Sequence, residues 1–544
     1  MDGKAGSPTL NAVVARNASF NFGAKGFSML SRLMMPPIIL SYVTLEEYGI
    51  WAACFILIGY LGMSTFGVSS VYVTYIAQYH AKQEFAKINN LLSTGLTVVL
   101  VVTFSLITLL WFWLPTIIEA FHISVPLHQT ATTLIFGTAL VFAVDLSFGA
   151  FGFVLQGLQR FGQQTLIWFV SFCLETILIV SLLFADLGIY ALLWALVARY
   201  VFSTLAYMVV CYRTIPTLSL KWRYINWESF RLFYRYGTVL QLSGLLATFL
   251  FSIEKLLAGV FIGVKATGLF EIGQKFPIMG ALLPSSMNAV FQPAVARLSS
   301  LNEKAEVRKL YLRGSRYLHI TTGLIMGFLA AFASPILFGW LGSQTEDYRL
   351  APMILAWFTL PFQLNALTGP GTAVHRGVGS IREIMYPVVQ FVFIGITVGL
   401  GFLLIGKSIL VITVAVAISM VVSALVYIGY TNHILDIHWG RYLLQVLMPG
   451  LFPYGIAFSM ASIMETFWGW NLLDRWAVVI SLGGLGLIYV ILSTLVVYLV
   501  FLDQEERVFL KEKLFMGLGL IGGILGLRKV LPLRHQVVSS EKVL

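Results

Sequence analysis

Five cations fall inside apolar runs of this sequence: Lys25, Arg32, Arg199, Lys255 and Lys275. A charged side chain at the centre of a bilayer costs roughly 3 kcal/mol on insertion scales, so five unpaired ones would cost about 15 kcal/mol, comparable to the net stability of an ordinary domain. Each therefore calls for a partner, water or an anionic ligand. Lys25, Ser28 and Arg32 are spaced i, i+3 and i+7, which puts them on one helix face, and that run holds no carboxylate. This is an unneutralised basic stripe. In FLFSIEKLLAGVFIG, residues 249–263, Glu254 and Lys255 are adjacent, and neighbours on a helix point about 100° apart. Lys255 can therefore face a cleft while Glu254 turns toward surrounding helices. Glu271 and Lys275 are spaced i, i+4 in the favoured order for a local pair. At 1.5 Å per residue, Arg32, Lys255 and Lys275 all lie some 10 to 15 Å deep from the same side. With Lys25 they are the expected substrate-binding cations of one cavity.

Glu175 and Arg199 sit about halfway along consecutive apolar runs, which predicts a structural ion pair between them. Asp145 and Glu254 are the candidates for coupling to a proton or sodium ion, since a buried carboxylate can exchange a proton near neutral pH. Asp145 has no evident partner in its own run. Asn365, set between Pro361 and Pro370 in FTLPFQLNALTGPG, predicts a broken or kinked tenth run. The eight histidines lie mostly in loops, and Cys54, Cys173 and Cys211 have no ligand-like spacing. Neither a metal site nor a cofactor is expected.

The elements that must hold these residues are helices. Of 544 residues, 58% are hydrophobic and 11% charged, with mean hydropathy +0.86, and apolar runs repeatedly exceed the roughly 20 residues one membrane helix needs. The runs lack the alternation of a barrel. The expected class is an all-α, polytopic membrane protein of about fourteen transmembrane helices. It divides into a six-helix lobe (1–212), a polar linker (213–235), a second six-helix lobe (236–432), an extra helix pair (433–502) and a basic tail (503–544). Of the 35 Lys and Arg residues, 26 fall in alternate loops or the termini on one side and four on the other, which predicts cytoplasmic N- and C-termini in a plasma (inner) membrane. The formal charge of +11 is thereby assigned to a membrane side rather than to nucleic acid. The first sixteen residues are polar, with no cleavable signal expected. YVTLEEYGIWAACF and FIGVKATGLFEIGQKF open the two lobes alike, as internal repeats of transporters do. LFMGLGLIGGILGL, 514–527, is too short to cross and is expected to lie on the inner leaflet.

The stretch from Ala15 to Tyr79 resembles the first two helices of the polysaccharide (O-antigen, Wzx-type) flippases. These belong to the MOP superfamily, which also holds MATE drug exporters and lipid II flippases. Arg16-Asn17, the basic first helix, EYGIWA, Gly59-Tyr60 and Gly67 carry the likeness. EKLLAGVFIGVKATGLFEIGQKF and HRGVGSIRE extend it, so that it spans about twelve helices. Where many relatives have an acidic residue before the second-helix glycine, this chain has Ser64, Thr65 and Phe66, so no coupling role carries over there.

The resemblance implies two pseudo-symmetric six-helix lobes around a cleft. It also implies alternating access by a lipid-linked oligosaccharide whose pyrophosphate is anionic, with membrane lipids and glycan-assembly proteins as partners and a monomeric state. The alternatives are a cation-coupled multidrug exporter of MATE type and a membrane glycan polymerase. The first is opposed by a basic first helix, and the second by outer loops of about ten residues or fewer, too short to gather catalytic acids and bases. A non-transporting scaffold would leave the intramembrane charges unexplained.

Overall fold

The computed structural model describes residues 10–62, 68–342, 348–377, 381–467, 470, 474–502, 504 and 506–508. Among them regular structure is helical throughout, with no strand. The first half forms α1 (Leu10–Leu40), α2 (Leu45–Gly62), α3 (Val68–Ala81), α4 (Phe85–Ala120), α5 (His128–Phe148), α6 (Ala150–Gly157), α7 (Phe161–Phe184) and α8 (Tyr190–Thr214). The second forms α9 (Trp227–Phe251), α10 (Ile253–Phe261), α11 (Val264–Gly273), α12 (Lys275–Ser285), α13 (Asn288–Ser300), α14 (Lys304–Ala331) and α15 (Ala333–Leu341). It continues through α16 (Ala351–Gly377), α17 (Met385–Leu404), α18 (Ile409–Ile434), α19 (Trp439–Tyr442), α20 (Met448–Phe467) and α21 (Arg475–Val496).

Nine stretches among the described residues are long and apolar enough to cross a membrane, or ten with α14 and α15 taken as one span bent by 77°. The remaining expected spans are helical too, but α1, α9 to α13 and α16 carry the charges, prolines and breaks that dilute their apolar windows. Breaks fall at Gly149, Ser252, Gln274 and Phe332. They do not fall in the tenth run. There α16 continues as one helix from Ala351 through Pro361 and Pro370 to Gly377, so of the break or kink expected there the break is absent. Each proline removes one backbone bond, and α11, α12, α13, α14 and α18 pack around α16.

Local chemistry fixes several helix starts. Thr44 and Glu47 form a capping box at α2: the Thr44 amide donates to Glu47 Oε2 at 2.8 Å, and the Glu47 amide to Thr44 Oγ1 at 3.3 Å. Asn226 caps α9 by accepting from the Ser229 amide at 2.8 Å, and Ser408 caps α18. The capped start of α2 packs along α11. Gly49 permits that approach, because a Cβ there would run into the Val264 carbonyl. On the same side the Val264 amide donates to the Phe121 carbonyl at 2.9 Å. The two openings that look alike in sequence therefore meet each other at the α1–α2 loop side.

One buried core joins α3, α4, α6, α8 and the start of α9 through Tyr72, Leu91, Phe151, Cys211 and Phe233. Another joins α14, α16, α18 and α19 through Tyr311, Leu367, Ala424 and Tyr442. The polar connection after α8 is fastened to the first core: Asn89 donates to the Thr217 carbonyl at 3.1 Å and accepts from the Ser219 amide at 3.0 Å. The first extra helix, α20, lies along α14, where Gly450 is pressed on the His319 ring and its carbonyl accepts from Gln363 Nε2 at 3.0 Å.

Contacts divide the chain into residues 1–484 and 485–544. In the second unit a π-helical turn, Val497–Phe501, ends the helix, and Arg507 donates to the Leu499 and Leu502 carbonyls at 2.7 and 2.9 Å. The stretch 514–527, the departure at Ser64 to Phe66 and the centre of HRGVGSIRE lie outside the described residues.

Candidate functional site

On α1, Phe27 packs edge-on against Phe169 at 5.5 Å, and Ser31 shares a hydrogen bond of 3.2 Å with Thr176, so Ala24, Phe27 and Ser31 define the side facing α7. Lys25 and Arg32 occupy the neighbouring face and are exposed. Among the described residues no carboxylate pairs with either. The Ser28 hydroxyl between them donates to the Lys25 carbonyl at 3.0 Å.

Behind this face, Arg199 Nη1 of α8 meets Glu175 Oε2 of α7 at 2.6 Å, with both side chains nearly buried. The guanidinium also lies over the rings of Phe172 and Tyr200, at 5.7 and 5.1 Å. Asp145 lies one turn before the Gly149 break, its carbonyl accepting from the Gly149 amide at 2.7 Å, and is near enough to Arg199 to feel its charge. Of these two carboxylates, Glu175 is the one paired with the guanidinium.

Lys275 pairs with Glu271 as their i, i+4 spacing suggests, and Lys255, expected to face a cleft, is held by the same carboxylate. Glu271 takes both, Lys255 Nζ on Oε2 at 2.5 Å and Lys275 Nζ on Oε1 at 2.8 Å. The physical cause is the turn at Ile262 and Gly263, where Gly263 takes φ +128° and folds α11 back along α10, tied by Thr267 Oγ1 donating to the Lys255 carbonyl at 3.1 Å. The triad keeps one net positive charge. Arg32 is linked to it through packing: the Leu33 carbonyl accepts from Trp340, and Trp340 meets Phe276, next to Lys275, at 5.0 Å.

Glu254 turns away from Lys255, as adjacent helix positions require. It is 2% exposed, and its Oε1 has no hydrogen-bond partner among the described residues. It lines a cavity of about 190 Å³ together with Asn365, Tyr386, Gln390, Phe362 and Met420. Within it the Tyr386 hydroxyl donates to Asn365 Oδ1 at 3.1 Å. Tyr386 and Gln390 were not singled out from the sequence, although a glutamine inside YPVVQFVFIG is a readable signal. No group of three or more metal-ligating side chains occurs among the described residues.

The sequence profile of the polysaccharide biosynthesis protein family matches residues 29–350. No curated protein matches the sequence. The fold is similar to that of a lipid II flippase, MurJ, in an inward closed conformation, with TM-score 0.67 and 13% identity over 88% of this chain and 98% of that one. It is also similar to an inward-facing multidrug resistance MATE family transporter of the MOP superfamily, with TM-score 0.61 and 13% identity over 75% and 94% of the two chains. A third likeness is to a MOP superfamily transporter from Pyrococcus furiosus whose binding pocket is described as reversed in polarity, with TM-score 0.53 and 13% identity over 77% and 94%.

Proposed function

The chain belongs to the polysaccharide biosynthesis protein family, and from this premise we propose that it is a flippase for a lipid-linked oligosaccharide carried on a polyprenyl pyrophosphate. The observation that carries the reading is the cationic face of α1, where Lys25 and Arg32 are exposed with no carboxylate partner among the described residues. Two phosphates entering a site walled by lipid lose hydration, and charge-assisted hydrogen bonds from these side chains offset that loss. The Lys255–Glu271–Lys275 triad adds one residual positive charge. The polyprenyl chain stays in the bilayer while the sugar crosses.

Alternating access then consists of breaking the α2–α11 contact at Gly49 and Val264 and closing the opposite side. Glu254, in its cavity with Asn365 and Gln390, is the site we assign to the coupling proton or cation, and Asp145 beside Arg199 is the second. The protein works in the plasma (inner) membrane with cytoplasmic termini, as a monomer alongside glycan-assembly proteins.

The test is translocation of a fluorescent polyprenyl-pyrophosphate sugar by purified protein in vesicles. Arg32→Ala should abolish it while membrane insertion persists, and normal translocation in that variant refutes the assignment. Export of cationic dyes by the wild type would move the reading to the multidrug exporters.

A further inference from the structure

Pro37 lies inside α1 and has no amide hydrogen, so the Leu33 carbonyl, four residues back, loses its helical partner. That carbonyl is not left bare. Trp340 Nε1 donates to it at 2.7 Å across 307 residues of sequence. Trp340 lies near the end of α15, the segment bent by 77° from α14, and is 9% exposed with its ring edge-on to Phe276. The end of α15 is itself tied down: Arg475, at the start of α21, donates from Nε to the Gly339 carbonyl at 3.0 Å and from Nη2 to the Trp340 carbonyl at 2.8 Å. One guanidinium thus occupies two terminal carbonyls of the short helix that bears the indole.

Resting on the reading of Arg32 as the phosphate contact, we propose that Trp340 and Arg475 are positioning residues for Arg32, acting through the Leu33 carbonyl released by Pro37. Arg32 directly precedes Leu33, so the depth and rotation of its side chain follow this one hydrogen bond. The second extra helix thereby reaches the substrate cations without touching substrate, through a chain of three contacts: α21 to α15, α15 to the α1 carbonyl, and α1 to Arg32.

The experiment uses full-length protein in vesicles, with Cys54, Cys173 and Cys211 replaced by serine and spin labels at Tyr42 and Leu404. Wild type should give one narrow distance distribution. Trp340→Phe keeps a ring against Phe276 but removes the donor, and it should broaden the distribution. Pro37→Ala restores an amide to the Leu33 carbonyl, so the Pro37→Ala/Trp340→Phe double variant should be narrow again. Arg475→Gln should broaden it as well, with no further effect when combined with Trp340→Phe. An unchanged distribution in Trp340→Phe, or a double variant as broad as Trp340→Phe alone, overturns the proposal. Binding of inorganic pyrophosphate separates it from the reading beneath it. Arg32→Ala and Trp340→Phe should each weaken binding about tenfold or more. If only Arg32→Ala does, the positioning role falls alone; if neither does, the phosphate site falls with it.

Discussion

Lys255 and Glu271 lie on different helical segments and meet at 2.5 Å, while Lys275 holds the other oxygen of the same carboxylate at 2.8 Å. The arrangement explains how a chain this apolar accommodates two lysines in the seventh and eighth runs. A carboxylate spanning two ammonium groups removes most of the cost of burying them and leaves one unit of charge.

Removing that carboxylate should be far worse than removing the whole triad. Glu271→Gln leaves two nearly buried ammonium groups without a counter-charge and should destabilise the protein by roughly 3 kcal/mol or more. Lys255→Met/Glu271→Gln/Lys275→Met should melt close to wild type in detergent. A single variant as stable as the triple one would show that water, rather than Glu271, carries the lysines.

The Glu175–Arg199 pair is placed to serve structure. Glu175→Gln should cost about 3 kcal/mol, because Arg199 keeps only its ring contacts and the more distant Asp145. Adding Asp145→Asn should deepen the loss more than additively. Thermal unfolding of the four-member cycle checks this, and strict additivity would place Asp145 outside the cluster.

Glu254→Gln keeps the shape of the cavity and removes the exchangeable charge. Gradient-driven translocation should fall at least tenfold, whereas exchange without a gradient should persist. Equal losses in both assays would make Glu254 a structural residue.

At Gly49, any side chain collides with the Val264 carbonyl. Gly49→Val should push α2 off α11 and populate the state open on the α1–α2 loop side. A Val264→Cys reporter, at a position only 1% exposed in the wild type, should then react with maleimide at least tenfold faster. Unaltered labelling would mean that the contact is not part of the moving seam.

Much of this organisation is legible in the sequence because it follows from local spacing. The Lys25–Arg32 stripe is a periodicity, and the Glu271–Lys275 pair is an i, i+4 step. What the sequence hides is what the breaks bring together. Lys255 reaches Glu271 because the chain turns back at Gly263, a glycine the sequence shows without showing which side chains the turn brings together. Conversely, Pro361 and Pro370 advertise a break, and α16 runs through both as one helix. Trp340 looks like ordinary apolar filling, and its partner is a backbone atom that no residue pattern can point to. Gln390 and Tyr386 gain meaning only from the cavity they share with Glu254.

Asn89 grips the loop after α8 at both Thr217 and Ser219, and Phe233 is buried with Tyr72 in the first core. The loop and the start of α9 are thus fastened to the first core, and in the proposed alternating-access cycle the pivot is expected further along, between Phe233 and the interruption at Ser252. Lengthening the loop should then leave that motion unchanged, whereas stiffening the later part of α9 should slow it.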